Sequence, residues 1–311
     1  MAYVDPRTPT SAELKAMADE RWQRVIAVHP DLEPAVTLQQ ALLAEIMGLA
    51  DAIQRHPMPR LSLPPRYLAA KLSRGVPAFS GEPIPLPVPR LTASLGRLCD
   101  QLAAGGAGDV AARIRAAVDE GTMDAGSLFT ASLARNQTAI REGATHRGLA
   151  PDLVWLVGEL TVSPVAYALQ RTLFATTTDE TLGAALAQWR NGYCPACGSW
   201  PALAEVVEGH RVLRCSFCAA AWELPTYACV YCQEAGEPFT AAAPDEERKD
   251  RRVELCKTCT GYLKTVDLPE LSPFPLLAIA DLETMDLDVA AMEHGFARPP
   301  LREIKGLGLR A

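Results

Sequence analysis

Four Cys-x-x-Cys pairs lie between residues 194 and 259 and contain eight of the chain's nine cysteines. Two thiolates separated by two residues can reach one ion from a single tight turn, and two such turns supply the four corners of a tetrahedron around zinc or iron. The pattern therefore predicts two tetrathiolate metal sites. The predicted ligands are Cys194, Cys197, Cys215, Cys218, Cys229, Cys232, Cys256 and Cys259.

The spacing of the pairs indicates which of them share an ion. Seventeen residues separate Cys197 from Cys215, enough for a strand, a turn and a returning strand, and 23 residues separate Cys232 from Cys256. Joining neighbouring pairs closes the shorter loops, which costs less chain entropy. We therefore favour one site made by the first two pairs and another made by the last two. A cross-braced scheme, first pair with third and second with fourth, is the alternative.

Other uses of these cysteines fit the sequence less well. The opening residues, MAYVDPRTPT, show neither the basic nor the apolar segment of an export signal, so we expect a cytoplasmic protein in which disulfides are rare. A thioredoxin-like motif would be a single pair within a βαβ unit. A hydrolytic zinc site keeps an open coordination position, whereas four sulfurs close it. The ninth cysteine, Cys99, lies in a helical pattern and is predicted to be a buried, inert thiol.

The residues leave the identity of the metal open between iron and zinc. A tetrahedral four-sulfur site accepts either ion. Zinc has no redox chemistry, so it would only shape the protein, whereas iron would permit one-electron exchange. His210, five residues before Cys215, is a weaker candidate ligand because four thiolates are already available at that site.

Charge and hydropathy exclude some classes of protein. Residues 191–311 hold 18 acidic and 12 basic side chains, which gives −6 of the net charge of −7. Thiolates bound to divalent ions add further negative charge, which would repel phosphate backbones, so we expect no nucleic-acid partner. No apolar run approaches the roughly 20 residues that span a bilayer. We therefore expect no membrane insertion.

The elements before the metal region read as helices. Hydrophobic periodicity predicts a helix that begins after a Thr10–Glu13 capping box and another over 36–54. A second capping box is predicted at Thr177 with Glu180, and Pro164 is expected to bend or divide one long helix. The remaining predicted helices cover 92–104, 108–120, 123–135, 137–147, 150–174 and 178–190.

After residue 190 the pattern changes to short strands. Residues 202–207 and 211–214 are predicted to form a hairpin around Glu208-Gly209-His210 that connects the first two cysteine pairs. Gly198, directly after the first pair, is expected to take a positive φ. Aromatic side chains are expected to shield the metal sites from water: Trp200, Trp222 and Tyr227. The last predicted element is a helix that ends at Gly295 and packs through Leu287, Ala291 and Met292.

These elements predict an α+β protein with three parts. Residues 1–190 form an all-α helical domain, 191–227 a first tetracysteine lobe, and 228–311 a second tetracysteine lobe with a C-terminal helix. Strand hairpins that join two Cys-x-x-Cys turns are typical of zinc-ribbon and rubredoxin-like lobes.

The metal region also resembles a known family. The segments CPACGSWP, RVLRCSFCAAAW, YACVYC, ELCKTCTGYLKTVD and DLETMDLDVAAMEHGF follow one another between about residues 190 and 297 as they do in the FdhE family of formate dehydrogenase accessory proteins. All eight of the family's metal-ligand positions are cysteine in this sequence. Over the helical N-terminal portion the resemblance is compatible but much weaker.

The resemblance implies a function for the metal region. It implies a cytoplasmic, non-enzymatic maturation factor, a chaperone-like protein that binds the catalytic subunit of a respiratory formate dehydrogenase. It also points toward iron in some members. The alternative that stays open is a rubredoxin-like iron protein that transfers electrons to its client or adjusts its redox state. Tyr262 and Lys264, directly after the last pair, are weak candidates for contact with the partner.

Overall fold

The computed structural model describes residues 3–56, 63–243 and 250–300. Helices dominate the chain before the first cysteine pair, and strands dominate after it, as the α+β prediction requires. The first nine helices are α1 (Ser11–Val28), α2 (Glu33–Arg55), α3 (Pro65–Leu72), α4 (Val88–Leu102), α5 (Gly108–Asp119), α6 (Ala125–Leu133), α7 (Gln137–His146), α8 (Pro151–Phe174) and α9 (Glu180–Ala187). A 3₁₀ turn at Pro30–Leu32 and a π-helical turn at Ala103–Ala107 separate some of them.

The described residues form two compact units that interleave along the chain. One unit contains 3–9, 63–80, 170–243 and 250–300, and it holds all four cysteine pairs. The other contains 10–56 and 81–169 and consists of helices and their connections. The three-part division at residues 190 and 227 remains a prediction.

One of the two predicted capping boxes is confirmed, at the start of α1. The amide of Thr10 donates to Glu13 Oε2 at 2.8 Å, and the amide of Glu13 donates to Thr10 Oγ1 at 3.3 Å. At α9 the predicted Thr177–Glu180 box is wrong. The N-cap is Asp179, whose carboxylate accepts the amide of Leu182 at 2.9 Å, because an aspartate two residues nearer the helix satisfies the same free amides.

Helix α8 continues unbroken through Pro164, so the expected division does not occur. Proline lacks the amide that would bond to the carbonyl of Leu160. The hydroxyl of Ser163 donates to that carbonyl at 3.4 Å instead. A side chain thus replaces the missing main-chain donor inside the helix.

The strands form one seven-stranded sheet in the order β1-β4-β3-β2-β7-β6-β5. They are β1 (Tyr3–Val4), β2 (Pro201–Val207), β3 (His210–Cys215), β4 (Ala221–Glu223), β5 (Phe239–Ala242), β6 (Arg251–Cys256) and β7 (Tyr262–Asp267). The β2–β3 hairpin confirms the predicted one. Its turn residues Glu208 and Gly209 both have positive φ, at 51° and 84°, as a two-residue hairpin requires.

Two pairings in this sheet were not expected from the sequence. Strands β2 and β7 pair in parallel, from Leu203 with Lys264 to Val206 with Asp267. This pairing joins the two predicted lobes into a single sheet. Strand β1 pairs with β4 at the sheet edge.

A buried ion pair anchors the loop after β7 to the sheet. Arg214 on β3 and Glu205 on β2 contact each other, and both are 0% exposed. The carboxylate of Glu205 accepts the amide of Ser272 at 3.1 Å, and the guanidinium of Arg214 donates to the Ser272 carbonyl at 2.7 Å. Both charges are thus hydrogen-bonded as well as paired, which is how buried charges persist.

Two short helices, α10 (Leu277–Glu283) and α11 (Met285–Glu293), follow the sheet. On α11, Leu287 and Ala291 are buried against β6 and β7 as predicted, and Gly295 with φ 81° follows its end. Met292 was predicted on the packed face but is 56% exposed. The buried stripe of α11 is therefore narrower than predicted. It packs with Val253 and Tyr262, and the partly buried Leu255 and Phe296 lie against the same cluster.

By length and composition alone, two of the described helical segments, Pro30–Arg55 and Pro151–Phe174, suffice to cross a membrane. This finding qualifies the expectation that no segment approaches that length. Their apolar stretches are 33% and 61% buried, and core helices of soluble proteins satisfy the same test.

Candidate metal centres

The structure brings the eight cysteines of the four pairs together in two groups of four. Within each group all four sulfurs lie within 4.8 Å of one another. The first group is Cys194, Cys197, Cys215 and Cys218, and the second is Cys229, Cys232, Cys256 and Cys259. This grouping is the sequential scheme and not the cross-braced one.

The sulfur separations suit a tetrahedral ion. In the first group Cys194 and Cys218 are 3.5 Å apart and Cys197 and Cys215 are 3.4 Å apart. In the second group the corresponding separations are 3.6 Å for Cys229–Cys259 and 3.5 Å for Cys232–Cys256. A tetrahedron with metal–sulfur bonds of 2.3 Å has edges of about 3.8 Å. Each group can therefore hold one zinc or iron ion with only a small adjustment of its sulfurs.

All four Cys-x-x-Cys turns, here called knuckles, share one main-chain hydrogen bond. In each knuckle the amide of the first cysteine donates to the carbonyl five residues later. The four bonds are Cys194 to Ser199 at 2.9 Å, Cys215 to Ala220 at 2.9 Å, Cys229 to Glu234 at 2.8 Å and Cys256 to Gly261 at 3.0 Å. This main-chain bond closes each knuckle without help from a metal ion.

The residue after the second cysteine of every knuckle has a positive φ. Gly198 takes 84°, as the sequence predicted. The equivalent residues are Ala219 at 53°, Gln233 at 67° and Thr260 at 56°, none of which is glycine. A non-glycine residue is strained in this region, most of all a β-branched threonine. The need for a positive φ could be predicted from the sequence only at Gly198, because the other three positions are not glycine.

Main-chain amides are directed at sulfurs of the first group. The amide of Ala196 lies 3.4 Å from Cys194 Sγ, and those of Phe217 and Cys218 each lie 3.4 Å from Cys215 Sγ. Such donors stabilise thiolate charge on bound sulfur. The donor set thus fits four thiolates on a metal ion.

Burial separates the two groups. The four cysteines of the first group are 0–3% exposed, and every residue from 192 to 199 is buried. The segment 77–80 lies over the first knuckle, with the amides of Ala78 and Phe79 donating to the carbonyls of Pro195 and Ala196 at 2.8 and 2.9 Å. In the second group Cys232 is exposed and Cys259 is partly exposed. The sequence contained no sign of this difference.

The surroundings shift the thiol pKa values in the absence of metal. Burial, the largest influence, raises the pKa of Cys194 and Cys218 well above the ordinary value of 9.0. It also raises the pKa of Cys259 to about 11. For Cys256 burial again raises the pKa, but hydrogen bonds with the amide of Cys259, the thiol of Cys232 and the amide of Thr258 together outweigh it and leave a pKa below 9.0. Binding of a metal must therefore displace protons from Cys194, Cys218 and Cys259.

Two glycines permit close packing around the knuckles. A Cβ on Gly192 would overlap the carbonyl group of Val230, which lies within the third knuckle. A Cβ on Gly261 would stand 2.6 Å from the ring of Tyr231. Helix α9 ends at Ala187, so Gly192 lies in the connection before the first knuckle, where it permits this contact.

The aromatic residues near the sites have different environments. Trp222 is 0% exposed, and Trp200 is half-buried, with its ring 5.1 Å from that of Tyr231 and its indole N–H donating to the Pro300 carbonyl at 3.1 Å. Tyr227 is 52% exposed, so its predicted shielding role is wrong. His210 is exposed at the start of β3, near Glu223 and outside both sulfur groups.

The two candidates for partner contact are buried. Tyr262 is 3% exposed and donates its hydroxyl to Asp288 at 2.8 Å. Lys264 is 0% exposed, and its ammonium lies 2.7 Å from carboxylate oxygens of Asp281 and Asp288. Arg298 completes this cluster of charges by pairing with the same two aspartates. A docking role for Tyr262 and Lys264 stays a prediction. Neither side chain is exposed at the protein surface in this structure.

Several curated proteins similar to this chain carry the same name. The chain is 33% identical over 119 residues to the Protein FdhE homolog of Aquifex aeolicus, covering 36% of the chain and 41% of that protein. It is 36% identical over 115 residues to the homolog of Pseudomonas putida, covering 34% and 36%, and 27% identical over 165 residues to that of Rhizobium meliloti, covering 47% and 53%. The chain is similar to proteins of the FdhE family.

The matches to the FdhE family are partial in sequence and nearly complete in fold. The aligned regions span less than half the length of the Aquifex and Pseudomonas putida relatives. No family model matches the chain. The crystal structure of the FdhE protein from Pseudomonas aeruginosa matches 97% of this chain and 98% of its own, with a TM-score of 0.58 and 21% sequence identity. This likeness shows a shared fold.

Proposed function

We propose that this chain is a non-enzymatic accessory factor for a respiratory formate dehydrogenase. It binds the catalytic subunit of that enzyme in the cytoplasm and is needed for the assembly or activity of the enzyme. Two metal ions, iron or zinc, hold the binding surface in shape. The observation that carries the proposal is the pair of four-sulfur groups in a chain related to FdhE proteins.

The arrangement of sulfurs supports a structural use of the metals. Four thiolates complete the coordination of a zinc or tetrahedral iron ion and leave no position for substrate water. The four cysteines of the first group are also buried, and Ala78 and Phe79 are hydrogen-bonded to the knuckle that carries Cys194 and Cys197. A metal held in this way orders the surrounding chain, and structural sites of this kind contribute on the order of 10 kcal/mol to folding.

The test is binding of the catalytic subunit by the purified chain. The formate dehydrogenase catalytic subunit, prepared without its cofactors, is passed over the immobilised chain, and the bound subunit is identified by mass spectrometry. We expect retention by the native chain and by Cys99→Ala, which lies outside both sulfur groups. We expect loss of retention with Cys194→Ser and Cys256→Ser, together with lower metal content. Equal retention by all four proteins would refute a metal-dependent binding surface.

A rubredoxin-like electron-transfer role is the second candidate. The exposed Cys232 favours it, because a sulfur at the protein surface shortens the path for an electron to a bound partner. The role requires iron, which gives a visible thiolate-to-iron absorption that a mild reductant bleaches reversibly. A colourless, zinc-loaded chain that still supports the client would exclude it.

A further inference from the structure

The two sulfur groups differ in their access to solvent, and this difference is large. All four cysteines of the first group are buried, and the knuckle that carries Cys194 and Cys197 is covered by the main chain of Ala78 and Phe79. In the second group Cys229 and Cys256 are buried, whereas Cys232 is exposed and Cys259 is partly exposed. One side of the second group therefore faces solvent.

The residues beside these two sulfurs are exposed as well. Gln233 follows Cys232 in the third knuckle, and Lys257 and Thr258 lie between the cysteines of the fourth knuckle; all three are exposed. The opposite side of the third knuckle packs inward, where the carbonyl of Val230 lies against Gly192. The opening is thus confined to the side of the cluster on which Cys232 stands.

Access decides how a four-sulfur site exchanges its ligands. Replacement of a thiolate on zinc or iron begins with approach of an incoming soft ligand, and the departing sulfur must reach solvent. In the first group the buried knuckle and its covering segment obstruct both movements. In the second group Cys232 meets both requirements.

We infer that the second group is a ligand-exchange site, at which an external thiol replaces Cys232 on the metal, while the first group exchanges its ligands much more slowly. The incoming thiol gives up its proton as its sulfur bonds to the ion. The Cys232–metal bond breaks, and the departing sulfur takes up a proton. Four sulfurs surround the ion before and after, and no electron is transferred.

The first experiment maps reactivity in the metal-loaded native protein. N-ethylmaleimide is added in a time course, the modified cysteines are identified by peptide mass spectrometry, and bound metal is measured by elemental analysis. The sulfur of Cys232 adds to the maleimide double bond, a proton from water completes the product, and the metal–sulfur bond is lost. We expect Cys232 to react at least about tenfold faster than any cysteine of the first group, with loss of one metal equivalent per chain.

The second experiment uses a coloured chelator, 4-(2-pyridylazo)resorcinol, as the incoming ligand. We expect one metal equivalent to be released rapidly and the other at least about tenfold more slowly, in keeping with the dependence of ligand exchange on access. In Cys232→Ser the rapid equivalent should be absent and the slow one retained. Its matched variant in the first group, Cys197→Ser, should lose the slow equivalent and keep the rapid one.

Two results would overturn the inference. One is modification of Cys194, Cys197, Cys215 or Cys218 at the same rate as Cys232 in the native chain. The other is release of both metal equivalents in a single phase. Neither measurement involves the formate dehydrogenase subunit, so failure of ligand exchange and failure of the proposed accessory function are separate outcomes.

Discussion

The carbonyl group of Val230 fills the space beside Gly192 in which a Cβ atom would stand. Gly192 lies two residues before the first knuckle, and Val230 lies inside the third, so this contact fits one metal lobe directly against the other. Because a main-chain carbonyl cannot move aside as a flexible side chain does, a methyl group at Gly192 must displace the third knuckle. We expect Gly192→Ala to lower the free energy of unfolding by about 3 kcal/mol, measured by urea denaturation.

A second glycine provides the matched control for that substitution. Gly183 lies within helix α9 and has open space around its Cα. Alanine there should stabilise the chain by about 0.5 to 1 kcal/mol, because it favours the helix. A destabilisation of the same size at both positions would contradict the packing explanation.

Thr260 is predicted to be a strained position in the fourth knuckle. Its φ of 56° is unfavourable for a β-branched residue, and its side chain is exposed. Thr260→Gly should stabilise the chain by about 0.5 kcal/mol, because relief of strain exceeds the added entropy of the unfolded chain. At the equivalent position of the first knuckle, Gly198→Ala should destabilise it by about 1 kcal/mol. Thermal melting of both variants tests whether Thr260→Gly raises the melting temperature and Gly198→Ala lowers it.

The buried pair of Glu205 and Arg214 gives a third prediction. Glu205→Gln leaves the guanidinium without a countercharge in a site that is 0% exposed. We expect a loss of about 3 to 5 kcal/mol in the free energy of unfolding. The double variant Glu205→Leu with Arg214→Met should be more stable than Glu205→Gln alone, since it buries no unpaired charge. A double variant less stable than the single one would count against this account.

Cys99 gives a prediction for alkaline pH. Burial raises its pKa from 9.0 to about 12, because the thiolate is disfavoured in the helical core. Between these pH values the unfolded chain releases the Cys99 proton and the folded chain retains it, so the free energy of unfolding falls as pH rises from 9 toward 12. In Cys99→Ala this slope should be smaller. Urea denaturation at several pH values measures it, and identical slopes would rule out a contribution from Cys99.

The sequence predicted those features that local pattern determines. The helices over 92–104 and 108–120 correspond to α4 (Val88–Leu102) and α5 (Gly108–Asp119), because their apolar spacing and flanking breakers are local signals. The grouping of the cysteines followed from loop lengths alone. Helix α3 was missed because it begins in a proline-rich stretch, where Pro65 occupies the first helical turn.

Long-range features were not predictable from these patterns. The parallel pairing of Leu203 with Lys264 joins strands about 60 residues apart, and no periodicity encodes which strands become neighbours. The exposure of Cys232 depends on which segment covers each knuckle, and the covering Ala78 and Phe79 are more than 100 residues away from the cysteines they protect. Burial of Lys264 was missed because its partners, Asp281 and Asp288, lie on the following helices.

The shared main-chain bond of the four knuckles has a further consequence for how the chain can change. The residues between the cysteines are Pro-Ala, Ser-Phe, Val-Tyr and Lys-Thr, yet each knuckle closes through the same amide-to-carbonyl bond. Backbone atoms hold the sulfurs in place, so the intervening side chains are free of that task. The two residues between the cysteines of each knuckle can therefore be substituted independently. They can be apolar where the knuckle contacts the core and charged where it contacts water, while the four sulfurs keep their positions.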